Sequence, residues 1–383
     1  MRIAIIDADL IGRKKHRFPN LACMKISSHH KKLGDDVELL TSYDYIENYD
    51  KVYISKVFTD TPIPDGITSL SYVEYGGTGF YFDEAPNLPY EIEHAFPDYH
   101  LYDDFINHLK EEKIKEIAVD DSDDIEDEIK SIERKFNTEF KMYLDYSIGF
   151  LTRGCFRKCG FCVNKKYDRV FKHSPLNEFY DSTRKKICLL DDNFLGFPNW
   201  RDELQELRET GKPFTFKQGL DERLLTPEKC DLLFNSKYDG EITFAFDNIK
   251  DYRIIEKKLK LIREHSDKQI KFYVLCGFDY DGKYDSDFWR RDIIDTFKRI
   301  ELLGRYKAIP YIMRFNKYEE SQYRGIYITL ARWINQPAFF KKKSIEDFAN
   351  LSGGASIRYL DEFKKDYPNI YAEYFTRKYW EVD

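Results

Sequence analysis

Cys155, Cys159 and Cys162 fall on one short stretch, Cys155-Phe-Arg-Lys-Cys159-Gly-Phe-Cys162. Thiolates are soft donors, and three of them on so short a loop can converge on a single metal centre. Gly154 and Gly160 allow the backbone to turn tightly and approach that centre. An ordinary 4Fe–4S cluster takes four cysteines. A three-cysteine loop therefore leaves one iron open to the amino and carboxylate groups of a small molecule. Zinc is the competing reading. A structural zinc needs four ligands and a catalytic one takes three plus water, and His173 lies downstream as a candidate fourth. Zinc modules are usually built on CxxC pairs, and the x3–x2 spacing ahead of an apolar β/α repeat favours iron–sulfur. The other four cysteines, Cys23, Cys188, Cys230 and Cys276, stand apart in sequence. They are expected to be small buried apolar residues rather than a disulfide framework.

The elements that must position this loop follow a regular pattern. From residue 146 onward, strands are expected at 147–152, 186–192, 213–218, 241–247, 270–277 and 309–315. Helices are expected between them at Trp200–Glu209, Pro227–Phe234, Asp251–Glu264 and Phe288–Leu303, with Thr226 ahead of a first-turn Pro227 and Gly304 at a C-terminus. Near-continuous apolar strands alternating with helices are the pattern of buried parallel strands. Six such units fall short of the eight of a full barrel, so a partial six-unit (β/α) TIM-like barrel is expected over 146–320. Its functional face lies at the C-terminal strand ends. There the chain places Asp191, Asp192 and Asn193, then Gln218, Asp221 and Arg223, then Asp247, then Gly277 and Asp279. Each polar residue has an alternative reading as a helix cap or solvated loop.

The cysteine loop, with Phe161 before its last cysteine and placed after the first strand of a six-unit β/α chain, resembles the radical S-adenosylmethionine (SAM) superfamily. The resemblance covers about residues 146–320. It implies a 4Fe–4S cluster on Cys155, Cys159 and Cys162, with SAM on the open iron. Reductive cleavage of SAM then yields a 5′-deoxyadenosyl radical that abstracts hydrogen from a substrate. It also implies an external electron donor such as a flavodoxin or ferredoxin. By position, Phe161 lies near the adenine, Asp191, Asp192 and Asn193 replace a Gly-Gly-Glu-like strand end that binds the SAM amino group, and Gln218 and Arg223 meet its carboxylate or ribose. Asp247 and Gly277 stand at ribose and adenine positions.

Residues 1–110 read as a small Rossmann-like α/β domain. Strands are expected at 3–6, 37–40, 51–55 and 73–75, with a helix at 20–32 closed by Gly34. Residues 80–110 are expected to be loop-rich. Asp7-Ala-Asp9-Leu-Ile-Gly12, Ser55 and Gly76-Gly77 resemble a degenerate cobalamin-binding signature, DxHxxG followed by Ser and Gly-Gly, with Asp9 where the family has its cobalt-ligating histidine. Three readings follow: cobalamin bound without a protein ligand, and with it a methyltransferase reaction; a fold retained only as a substrate or partner module; or a generic α/β layer. His16 is expected in a polar loop and the pair His29-His30 on an exposed helix. Residues 111–145 are heavily charged and read as a linker or insertion, its acidic run a solvated face. Residues 321–383 read as a short helical extension.

The bulk composition narrows the partners. Net charge is −7, with 61 Lys and Arg against 68 Asp and Glu, so there is no global basic footprint for nucleic acid. Lys165, Lys166, Arg169 and Lys172 form a local basic stretch that follows the loop. Phe and Tyr are frequent, 30 and 29 residues, which reads as coding bias rather than a binding surface. The opening MRIAIID enters a strand directly, and no run approaches the roughly 20 apolar residues of a membrane span; a cytoplasmic enzyme is expected. The substrate, whether small molecule, peptide or RNA base, is not encoded in these patterns. A zinc-stabilised binding module is the non-enzymatic alternative.

Overall fold

The computed structural model describes residues 1–117 and 125–380. The acidic centre of the charged run, 118–124, and the last three residues of the expected C-terminal extension lie outside the described residues. The chain forms two compact units. The first comprises Met1–Lys158, Cys162–Asp191 and Glu209–Phe214, and the second comprises Cys159–Phe161, Asp192–Arg208 and Thr215–Asp383.

In the first unit, β1 (Arg2–Asp7), β2 (Asp36–Leu40), β3 (Lys51–Ser55) and β4 (Val73–Gly76) form a parallel sheet of order β2-β1-β3-β4. Ile3, Ala4, Ile5 and Ile6 are all buried because β1 is an inner strand covered on both faces. The helix Leu21–Lys32 starts where the Asn20 side chain accepts the Cys23 N–H, and it ends at Gly34, whose φ of +83° suits glycine. Its last turn corrects one expectation: His30 is buried, with Nδ1 2.7 Å from Asp35 and Nε2 3.0 Å from the Tyr53 hydroxyl.

The region expected to be loop-rich carries a long helix, Asp103–Ile117, and the charged run continues as Ile125–Glu139. Each of these helices puts an apolar side chain, Ile106 and Phe136, into the core. Ile106, Phe136, Phe140 and Tyr143 enter the same apolar cluster as Ile3, Ile5 and Met24. Such side chains are what an amphipathic helix buries.

β5 (Tyr146–Gly149) pairs parallel with β8 (Lys186–Leu189), and Ile187 donates to the Pro213 carbonyl at 2.9 Å, just ahead of β9 (Phe214–Phe216). The expected 147–152 strand is interrupted after Gly149. A β-carbon there would lie 2.2 Å from the Phe179 ring, so the glycine is required by packing. The chain resumes as β6 (Thr152–Arg153), antiparallel to β7 (Phe171–Lys172). This two-stranded ribbon brackets the cysteine loop at its base.

In the second unit, β10 (Ile242–Ala245), β11 (Ile270–Cys276) and β12 (Ile309–Arg314) form a parallel sheet, and Leu220 makes a parallel bridge to Phe244. Helices Trp200–Glu209, Pro227–Phe234, Tyr252–His265 and Ser286–Arg305 alternate with the strands. The helix Tyr252–His265 buries Ile255, Leu259 and Ile262 at i, i+4 and i+7, roughly 1.5–3 kcal/mol each. Gly304 does not end its helix. It lies within the last turn, where an added β-carbon would sit 1.9 Å from the Tyr379 carbonyl oxygen. Beyond β12 the chain is helical, with a Ser344–Asp347 capping box and a turn at Gly353-Gly354.

Candidate functional site

The seven cysteines divide by environment. Cys23, Cys188, Cys230 and Cys276 are buried, whereas Cys155, Cys159 and Cys162 are each partly exposed. Burial pushes the Cys230 thiol up to about 11 and those of Cys23 and Cys276 well above their usual range, so these are inert core groups. Cys276 donates its thiol hydrogen to the Met313 carbonyl at 3.5 Å.

The loop is shaped by backbone conformation. Gly154 has φ +88°, and a β-carbon there would lie 2.2 Å from the Arg169 carbonyl oxygen. Lys158, between the first two cysteines, also has a left-handed backbone at φ +50°. The Arg157 N–H points at Cys155 Sγ, 3.4 Å away, and the Asn164 N–H at Cys162 Sγ, 3.3 Å away. Amides donated to sulfur stabilise thiolate character, and they suit cysteines that bind a soft metal. Among the described residues, no three His, Cys, Asp or Glu side chains form a ready-made metal site. The donor chemistry, exposure and amide–sulfur contacts of the loop fit a cluster. His173 does not supply a fourth ligand: its Nε2 lies 3.1 Å from Glu93 and its Nδ1 3.0 Å from the Ser174 hydroxyl.

Several residues expected to touch SAM are engaged within the protein. Asp191 is buried at 1% exposure, and its carboxylate accepts from the Leu151 N–H at 3.2 Å, the Thr152 N–H at 2.7 Å and the Thr152 hydroxyl at 2.6 Å. It ties the end of β8 to the segment that enters the cysteine loop. Arg223 pairs with Asp221 at 2.7 Å and Asp251 at 3.0 Å. The Gly277 N–H donates to Asp292 at 2.7 Å, and its φ of +78° makes the turn after β11. Asp247 accepts the Leu275 N–H at 3.1 Å, and burial pushes its carboxyl up to about 6. Gln218 is exposed and Asp192 half-buried, whereas Asn193 is buried at the start of a 3-10 turn. Phe161 sets its ring edge-on to Phe278, with centroids 5.5 Å apart, and a β-carbon on Gly160 would approach Phe278 to 2.9 Å.

The cobalamin-like residues do converge, at the C-terminal ends of β1, β3 and β4, where an open parallel sheet offers its crevice. Each is bonded to, or packed against, other residues of the chain there. Asp9 is fully buried, and its carboxylate accepts from the Val57 N–H at 2.6 Å and from the Thr61 hydroxyl. Gly12 lies so close to Thr61 that a β-carbon would approach its methyl to 2.8 Å. Ser55 accepts from Asn20 at 2.8 Å, and a β-carbon on Gly77 would meet the Lys56 carbonyl. Asp7 accepts from the Tyr102 hydroxyl at 2.9 Å, and burial pushes its carboxyl up to about 7. A satisfied, buried carboxylate in the ligand position does not fit a cobalt site.

Sequence reasoning missed two polar groupings. Glu222 is 1% exposed; its Oε2 accepts the Ala245 N–H at 3.3 Å, and burial, with Asp221 adding, pushes its carboxyl up to about 8. In the first unit, Glu93 gathers His173, Lys25 at 3.8 Å and Arg153 at 3.9 Å. Burial alone would raise the Glu93 pKa, but these three neighbours outweigh it and hold the carboxyl below its usual range. Neither grouping has a local motif, because each joins residues far apart in the chain.

No family model and no curated protein matches this chain. Two solved structures of the cobalamin-dependent S-adenosylmethionine radical enzyme OxsB are similar to it. One, with aqua-cobalamin bound, aligns with 82% of this chain and 49% of its own, at 15% identity and a TM-score of 0.34. The other, with aqua-cobalamin and S-adenosylmethionine bound, aligns with 99% of this chain and 57% of its own, at 15% identity and a TM-score of 0.36. The chain thus spans about half the length of the structures it matches. No helix among the described residues is long and apolar enough to cross a membrane.

Proposed function

We propose that this protein is a radical SAM enzyme, with Cys155, Cys159 and Cys162 holding a 4Fe–4S cluster. The observation that carries the reading is the contrast among its cysteines. Three are accessible on a glycine-shaped loop with amides directed at two of their sulfurs, and the other four are buried. When bound, a three-cysteine cluster supplies the electron that splits SAM into methionine and a 5′-deoxyadenosyl radical. The chain's own contribution is to present the thiolates and fix the loop. Gly154 makes the turn into it, the β6–β7 ribbon closes its base, and Asp191 anchors Leu151 and Thr152 ahead of it. We further propose the partial β/α barrel that the pattern of residues 146–320 implies; within the units, the parallel pairs β5–β8, β10–β11 and β11–β12 are consistent with its parallel strands. The Asp9 geometry weighs against cobalamin-dependent methyl transfer, so hydrogen abstraction from the substrate is the proposed reaction.

Anaerobic reconstitution tests this. The protein is expected to turn brown, with broad absorbance near ~400 nm and close to four irons per chain. With SAM and a reductant it is expected to release 5′-deoxyadenosine, and Cys159→Ala is expected to abolish that release. A colourless protein carrying one zinc per chain would refute the reading.

A further inference from the structure

The base of the cysteine loop borders a cavity of about 310 Å³ in the first unit, walled by Tyr90, Glu93, His94, Arg153, Tyr167 and Phe171 among others. This lies at the small end of ligand pockets. The pairing of β6 with β7 places Arg153 opposite Phe171, so both face residues of one short ribbon.

Arg153 is the group that needs explaining. Its Nε is shut away from solvent and has no hydrogen-bond partner among the described residues. Its guanidinium lies over the Phe150 ring, 4.1 Å from the centroid, which fixes the plane of the fork. The nearest carboxylate, Glu93, is 3.9 Å from Nη1, beyond hydrogen-bond reach. Glu93 is moreover already bonded to His173 and faced by Lys25. The other acid nearby, Glu178, is engaged by His94 at 2.8 Å. The Nη groups likewise make no hydrogen bond among the described residues and, unlike Nε, are not closed off, so they can donate to a planar or tetrahedral oxyanion.

The remaining walls describe the body of the ligand. Tyr167 and Phe171 meet edge to face at 4.9 Å, Tyr90 lies 4.3 Å from the His94 ring, and His94 stacks on His173 at 5.2 Å. These are flat faces around a narrow space, suited to a ring.

We propose that this cavity is a binding site for a small ring-bearing oxyanion, a carboxylate or a phosphate ester, held by Arg153 and stacked among Tyr90, Tyr167 and Phe171. The site stands on the cavity alone. It is tested on the full chain without cluster or SAM, so its failure and the failure of the radical reading are separate results.

The probes are phenyl phosphate, benzoate and, as the uncharged control, phenol, each titrated against the protein by ligand-observed NMR. Saturable binding of phenyl phosphate or benzoate is expected, with phenol at least tenfold weaker; the tighter of the two acids identifies the oxyanion. Arg153→Lys keeps the charge but loses the fork, and is expected to weaken binding about 10- to 100-fold. Tyr90 is 73% exposed, so Tyr90→Ala leaves the fold intact. It is expected to weaken phenyl phosphate several-fold while leaving inorganic phosphate unchanged. Absence of saturable binding, equal binding of phenol, or wild-type affinity in both variants would overturn the proposal.

Discussion

Asp191→Ala is expected to loosen the entrance to the cysteine loop without unfolding the sheet beneath it. The carboxylate accepts two backbone N–H groups and one hydroxyl while 1% exposed. Truncation strands three donors in a buried space, and each stranded polar group costs about 1–3 kcal/mol. The Leu151 bond is the longest at 3.2 Å, and water can enter the space left by the side chain, so the low end applies and the sum is roughly 3 kcal/mol. That energy corresponds to about 100-fold faster local opening, at 1.4 kcal/mol per factor of ten. Amide hydrogen exchange of a peptide spanning 147–153 reads this directly, with a β1 peptide as internal control. Asp191→Asn retains one acceptor oxygen and is expected to fall between. After anaerobic reconstitution, Asp191→Ala should also retain less iron than wild type. Exchange at Leu151 and Thr152 unchanged within about threefold would refute the assignment of Asp191 as the anchor.

Glu222 predicts a pH dependence of stability. Its folded carboxyl sits at about 8, above its ordinary value of 4.5, so the folded state holds the proton more tightly than the unfolded chain. Stability from this group is complete below pH 4.5 and is lost as pH rises toward 8, by about 1.4 kcal/mol per pH unit. Glu222→Gln should flatten that decline in urea midpoints taken between pH 5 and 9, and parallel slopes for the two proteins would count against it. Gly154→Ala places a β-carbon 2.2 Å from the Arg169 carbonyl at a φ of +88°, and reconstituted iron content should fall several-fold while far-ultraviolet circular dichroism stays unchanged. Gly304→Ala meets the Tyr379 backbone at 1.9 Å and should cost about 2–4 kcal/mol, measured as a lowered urea midpoint; an unchanged midpoint would mean the helix end can shift.

The cysteine loop was legible in the sequence because ligand type and spacing are local properties. The alternation of apolar strands with helices was legible for the same reason. Trp200–Glu209 and Pro227–Phe234 form as their apolar spacing and the Thr226 cap require. Expectations failed where a distant residue set the outcome. Gly304 reads locally as a helix terminator, yet Tyr379 needs the space. His30 reads as exposed, yet Asp35 and Tyr53 enclose it.

Polar residues at strand ends show the same division. Their positions followed from the strand pattern, but which atom each one bonds did not. Asp191 bonds Leu151 and Thr152, Arg223 bonds Asp221 and Asp251, and the Gly277 N–H bonds Asp292. The Arg153 cavity was invisible for a related reason, since Tyr90 and Glu93 reach it from a segment some 60 residues earlier. Sequence alone determined the three-thiol loop, the parallel α/β pattern and the missing histidine at Asp9, all set by residue type and short-range spacing. Tertiary structure alone decided which thiols are accessible, which carboxylates are already satisfied and where a guanidinium is left without a hydrogen bond. Those depend on burial and on partners brought together only by folding, because desolvation and hydrogen bonding act between neighbours in space.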